Sequence, residues 1–147
     1  TENLLWNKLY NVYKFTPKIH GQFEWIKIPI ENKTYHKDTP WSDEQEHLIN
    51  SFLEELVSDK MYAFDWQHDC FTFSPKEYIP CDYEYYDTNR KCTVYFPTYY
   101  PNGDYHLFFD SDWKYGILGN PWKKEIIVMG KNLIEKFESN KTNLNIN

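Results

Sequence analysis

Apolar residues recur along this chain with two different periods, and the switches between them divide it into elements. Leu5, Leu9, Val12 and Tyr13, with Trp6 and Tyr10 beside them, fall on one side at helical spacing. Residues 2–15 therefore predict a short amphipathic helix, stopped by Pro17. Over 22–30 the period is two, with Phe23 and Trp25 on one side and Ile26, Ile28 and Ile30 on the other. Pro29 makes that stretch an edge strand or the end of one. Ser42-Asp43-Glu44-Gln45 is a capping box, and Leu48, Ile49, Phe52, Leu53, Leu56 and Val57 follow it as a 3.6-period stripe. A second helix starts there, with Asp43, Glu44 and Glu46 in the first turn, where the helix dipole favours negative charge.

From residue 61 the period returns to two. Tyr62, Phe64, Trp66 and His68 alternate with Met61, Ala63, Asp65 and Gln67, and Phe71 and Phe73 continue the strand until Pro75. Residues 78–91 are polar, acidic and rich in tyrosine, and predict an exposed excursion. A strand over 92–96 follows. Pro101-Asn102-Gly103-Asp104 is a turn signal that would join 93–99 to 105–110 as a hairpin. Residues 125–129 form another short buried strand, and Gly130 opens a last helix with Leu133, Ile134 and Phe137 on its core face. Beyond residue 139 the composition predicts a disordered tail, 140–147. The expectation is one α+β domain over 1–139, a mostly antiparallel sheet of about five strands with helices packed on one face.

Composition narrows the core and the partners. Six Trp, 13 Tyr and 10 Phe make 20% of the 147 residues aromatic, so a few large rings must supply most of the buried area. The net charge is −6, and Arg90 is the one arginine among 16 basic residues. Without a basic stripe the chain is a poor nucleic-acid binder, whereas an acidic surface suits a basic partner. Cys70, Cys81 and Cys92 form no C-x-x-C pair, which suits free thiols in a reducing compartment. No apolar run is long enough to span a membrane, and the N-terminus carries no signal pattern. The expected setting is the cytoplasm, with no membrane.

Two separated motifs carry a resemblance. Asp65-Trp66-Gln67-His68 with Cys70-Phe71 and Pro75, and Pro101-Asn102-Gly103-Asp104-Tyr105 through Gly119-Asn120-Pro121-Trp122, occur in this order. In them the chain resembles the bacterial family catalogued as domain of unknown function 2716, over nearly its whole length. The resemblance implies no activity. The family's loop reads Gly-His-Pro-Trp, so Asn120 stands where that pattern has a histidine. Asn can hydrogen-bond and cap, but it cannot act as a base near pH 7.

Catalytic candidates are His68, Cys70 and His106. A cysteine nucleophile needs an imidazole beside it, and His68 and Cys70 share strand parity, while Asp65 would point the other way. No oxyanion loop adjoins Cys70. His68, Asp69, Asp104, His106, Asp110 and Asp112 offer metal-ligand chemistry, but no zinc or calcium spacing accompanies them, and no metal or cofactor is expected. The cheaper reading has Asp104 in the turn, Asp110 and Asp112 capping a hairpin, and His106 bonded across the sheet. Gly116-Ile117-Leu118-Gly119-Asn120-Pro121-Trp122 lacks the lysine and helix of a phosphate loop. It reads as a structural turn with Trp122 in the core, and Asp65-Trp66-Gln67-His68 as a structural motif.

The binding candidate is Asp82, Tyr83, Glu84, Tyr85, Tyr86 and Asp87, tyrosines flanked by carboxylates as at protein interfaces. The leading expectation is a non-catalytic cytoplasmic protein that recognises a protein partner of basic character through this face, as toxin-neutralising immunity proteins do. A homodimer would use the same patch. The alternative is a small hydrolase or metal-dependent enzyme centred on His68 and His106, which requires those side chains to converge in a pocket.

Overall fold

The computed structural model describes residues 2–17, 24–66, 69–80 and 83–147. Its elements run α1 (Glu2–Asn11), β1 (Asn32–His36), α2 (Asp43–Leu56), β2 (Met61–Asp65), β3 (Cys70–Phe73), β4 (Glu84–Asp87), β5 (Cys92–Tyr95), β6 (His106–Asp110), β7 (Gly116–Asn120), β8 (Glu125–Met129), α3 (Lys131–Ser139) and α4 (Lys141–Leu144). Six strands form one sheet in the order β1-β8-β7-β6-β2-β3, and β4 and β5 pair as a separate ribbon. Every pairing is antiparallel. The fold is α+β, with more strands than the periodicity predicted.

The helices do not all lie on one face. Met61, Ala63, Phe108, Ile117 and Val128 meet Ile49, Phe52 and Leu53 of α2 and Leu133 and Phe137 of α3. The opposite side chains, Phe64, Leu107, Phe109, Leu118 and Met129, are covered by Leu9 of α1 and by Tyr13, Phe15, Trp25 and Ile26. With both faces covered, β6 and β7 are buried at every residue, which is why neither shows a polar alternation. Rings do much of the filling: Trp6 stands edge-on to Phe64 at 4.8 Å and Tyr13 to Phe109 at 5.2 Å.

Several expectations are corrected. The strand expected over 22–30 is not formed in its described part, 24–30. Trp25 and Ile26 are adjacent and both buried, which a strand facing two environments does not allow. The edge strand is β1, whose exposed Asn-Lys-Thr sequence gives no apolar signal. The excursion expected over 78–91 contains β4, which pairs with β5. No hairpin joins 93–99 to 105–110, because β6 pairs instead with β2 and β7. The Pro101-Asn102-Gly103-Asp104 segment carries the chain from ribbon to sheet.

Gly116 and Gly119 sit inside β7 rather than in a turn. At Gly119 a Cβ would come within 2.7 Å of the Pro101 side chain, so glycine there admits a close neighbour and not a bend. The turn belongs to Asn120, whose Oδ1 accepts from the amides of Trp122 and Lys123 at 3.0 and 3.2 Å. Trp122 is 40% exposed rather than in the core, lying against Tyr105 at 5.1 Å.

The predicted second helix has its capping box, with Ser42 and Gln45 bonded reciprocally. The tail expected to be disordered is ordered. Leu144 and Ile146 are buried, Trp41 Nε1 donates to the Leu144 carbonyl at 2.8 Å, and His36 and Asn147 exchange two backbone hydrogen bonds. Two apolar side chains spaced among asparagines are enough to dock it.

Candidate functional site

Strand register makes the site. β2 and β6 pair so that Asp65 lies directly opposite His106, at the end of the sheet nearest the ribbon. His106 is only 5% exposed. Its Nδ1 lies 2.8 Å from the Thr98 carbonyl and 2.9 Å from the Tyr100 carbonyl. Carbonyls only accept, so Nδ1 carries a hydrogen, and in the neutral ring the lone pair lies at Nε2. Burial lowers the pKa of this imidazole, while Asp65, the two carbonyls and Asp104 pull the other way. Nε2 is 3.8 Å from Asp65 Oδ1, beyond hydrogen-bonding distance.

Two contacts hold the 98–101 segment that grips the ring. From α2, the buried Glu46 accepts the amides of Tyr99 and Tyr100 at 2.8 and 2.9 Å. From the sheet side, Pro101 lies on Gly119, the Cα partner of His106 across β6 and β7. Desolvation raises the Glu46 carboxyl to about 7; the two amides lower it and Asp43 raises it. Tyr99 adds a 2.6 Å hydrogen bond from its hydroxyl to Asn50.

Beside His106 opens a cleft of about 530 Å³, lined by Asp65, Asp69, Asp104 and His106 and by residues 92–98 and Arg90 of the ribbon side. Arg90 closes one end. Its Nη1 and Nη2 donate to the Asp69 carboxylate at 2.9 and 3.3 Å, and its Nε to Asp87 at 2.8 Å. The guanidinium holds the Asp87 carboxyl below the usual carboxylate range and ties the ribbon turn to the β2–β3 connection.

A model of the family of proteins of unknown function DUF2716 matches residues 1–134. The chain belongs to DUF2716. It is 37% identical over 117 residues to the uncharacterized protein YxiI of Bacillus subtilis, covering 78% of this chain and 67% of that protein. No solved structure matches it.

Of the catalytic candidates in this DUF2716 chain, only His106 faces the cleft among the described residues. Cys70 pairs with Phe64 and packs on the opposite side of the sheet with Trp66, so it cannot serve His106. His68 and Gln67 lie outside the described residues, as does Asp82 of the binding candidates. Asp104 accepts the amide of Tyr105 at 2.7 Å. Asp110 sits at the far end of β6, about 13 Å from His106 at strand rise, against the backbone amides of Ser111, Asp112 and Lys114. Among the described residues no three ligating side chains gather to hold a metal ion. None of their helices is long and apolar enough to cross a membrane.

The ribbon divides the tyrosine-rich segment. Register puts Tyr86 with Glu84, Thr93 and Tyr95 on one face, and Tyr85 with Val94 on the other, where its ring lies 6.3 Å from that of Tyr83. Tyr86 and Tyr95 are each 60% exposed, Tyr83 and Tyr85 45% and 42%. Sequence reasoning missed Tyr95, which only the pairing of β4 with β5 brings beside Tyr86. It also missed Arg90 as the clasp; an isolated arginine between Asp87 and a lysine carries no such signal.

Proposed function

We propose that this protein is a non-catalytic cytoplasmic binding protein whose β4–β5 ribbon docks a protein partner of basic character. The observation that carries the reading is the ribbon itself. It stands outside the six-stranded sheet and exposes Tyr83, Tyr85, Tyr86 and Tyr95 on a chain of net charge −6. Tyrosine offers large, rigid contact area with a polar tip, and the acidic molecule steers a basic partner toward it. A toxin neutralised by a small acidic immunity protein is the concrete form of such a partner.

Capture from extract of the native host, with wild-type protein and a Tyr86→Ala/Tyr95→Ala variant, tests this. The expected result is a basic protein retained by the wild type, released by salt and lost in the variant. Equal retention by both, or retention only of a second copy of this chain, overturns the reading. Both tyrosines are exposed, so the variant should keep its stability within about 0.5 kcal/mol.

Of the candidates for the enzymatic alternative, His106 is the one that faces the cleft among the described residues, and no three ligating side chains gather there among them.

A further inference from the structure

The ribbon is attached to the body at two places that differ in kind. At its root, β5 runs into Phe96, whose ring lies 5.2 Å from Phe71 and 5.1 Å from Phe73 on the edge strand β3. Val94 is buried close by, and the Thr98 carbonyl further on faces His106 Nδ1. Packing anchors that end. At the tip, Arg90 in the turn between β4 and β5 donates two hydrogen bonds to Asp69, which lies between β2 and β3. Its Nε stays on Asp87 within the turn. Among the described residues, no other hydrogen bond or ion pair joins 84–95 to the rest of the molecule.

The two attachments also differ in strength. The planar guanidinium gives the tip a defined geometry, which a lysine could not reproduce on Asp69 and Asp87 together. Yet Arg90 is half-exposed, so water and salt screen the pair. Exposed pairs shift an equilibrium by no more than about fivefold. A two-stranded ribbon by itself is marginal in water, so little else keeps the tip down. Between root and tip lies the cleft of about 530 Å³, lined by 92–98 and by Asp65, Asp69 and His106 of the sheet side. That is the size of an ordinary ligand pocket.

We infer that the β4–β5 ribbon is a latched lid: the Arg90–Asp69 pair holds it over the cleft, and release of that pair swings it on its Phe96 root and opens the cleft. The inference goes beyond the docking reading and holds whether or not the ribbon carries a partner. With the latch shut, His106 is only 5% exposed; with it open, the imidazole becomes reachable from solvent. Salt, or a charged group that competes for Arg90 or Asp69, releases the lid.

The rate at which diethyl pyrocarbonate modifies His106 tests this, measured on the His106 peptide by mass spectrometry at a pH where the ring is neutral. Asp69→Ala removes the latch and leaves the Arg90–Asp87 bond of the turn, and should raise the rate by about fivefold. Asp69→Glu should restore most of the wild-type rate. In the wild type, raising salt from about 0.05 M to about 1 M should give a similar rise, and the same change should do little in Asp69→Ala. The salt arm needs no variant, so it stands even if Asp69→Ala does not fold.

Amide hydrogen exchange supplies the second measurement. In Asp69→Ala the amides of 84–95 should exchange faster, while those of β6, β7 and β8 keep their wild-type rates. Unchanged His106 reactivity in the variant and at high salt overturns the latch. Faster exchange throughout the sheet also overturns it, since the variant has then loosened the whole molecule. The capture experiment with Tyr86→Ala/Tyr95→Ala leaves Arg90 and Asp69 in place, so the docking reading and the latch fail separately.

Discussion

At the scale of single residues, the site depends on two residues outside the cleft lining. Glu46 and Gly119 hold the 98–101 segment from opposite sides, and that segment sets the tautomer of His106. Gly119→Ala would drive a Cβ into Pro101, an overpacking expected to cost about 1–3 kcal/mol and to shift the His106 resonances. Denaturant midpoints and the imidazole spectrum check both parts. For Glu46, the folded protein holds its proton more tightly than the unfolded chain, with a pKa of about 7 against 4.5. Its contribution is therefore full below pH 4.5, declines as the pH rises and is gone above about 7. His106, whose pKa burial lowers, acts in the opposite sense near neutral pH. The difference in urea midpoint between wild type and Glu46→Gln, followed from pH 4.5 to 8, isolates the glutamate and should change steadily through that window. Neither role was legible in the sequence. Glu46 reads there as a first-turn acid complementing the helix dipole, and Gly119 as a turn glycine, because each depends on a segment far along the chain. Asn120 was half legible: its capacity to cap follows from its chemistry, but its position at the end of a strand does not.

Among the elements, those with a sustained apolar pattern were the readable ones. The stripe and capping box of α2, the apolar run of β8 and the start of α3 stand where periodicity puts them, while α1 begins there but ends at Asn11, short of 15, and leaves Val12 exposed. The hidden ones break the rule that an apolar period marks burial. β1 is a polar edge strand, β7 is a glycine-bearing strand buried on both sides, and 24–28 packs irregularly under the sheet. α4 is the shortest case, a single turn docked by Leu144 and Ile146. Removing residues 141–147 should cost roughly 3–6 kcal/mol from those two side chains alone. The Trp41 indole would also lose its carbonyl partner. Thermal unfolding of the shortened chain, with Trp fluorescence as the second probe, measures it; an unchanged midpoint would mean that the segment contributes nothing. The same register logic that hid β7 also hid the site, since Asp65 and His106 meet only once β2 lies beside β6.

Over the whole molecule, the sheet separates two packed layers, and Asp65 and His106 at the ends of β2 and β6 border a cleft shared with the ribbon. The rigid core thus ends where the acidic cleft and the exposed tyrosines begin. Affinity differences among variants of this face should appear as changes in release rate, because exposed rings and desolvated charge pairs govern dissociation while net charge governs encounter. The closure of the sheet by its most distant partners has a consequence for how the chain reaches this state. Among the described residues β1 pairs with β8 alone, and Trp41 finds its acceptor 103 residues later. Loop closure over such separations is slow, so folding should be limited by this late clasp rather than by the local hairpin between β7 and β8. On the ribosome, β1 must wait with its edge unpaired, and Trp41 without its acceptor, until β8 and the residues after it have emerged. Cells that make this protein quickly would therefore accumulate nascent chains that need chaperone protection for most of their synthesis.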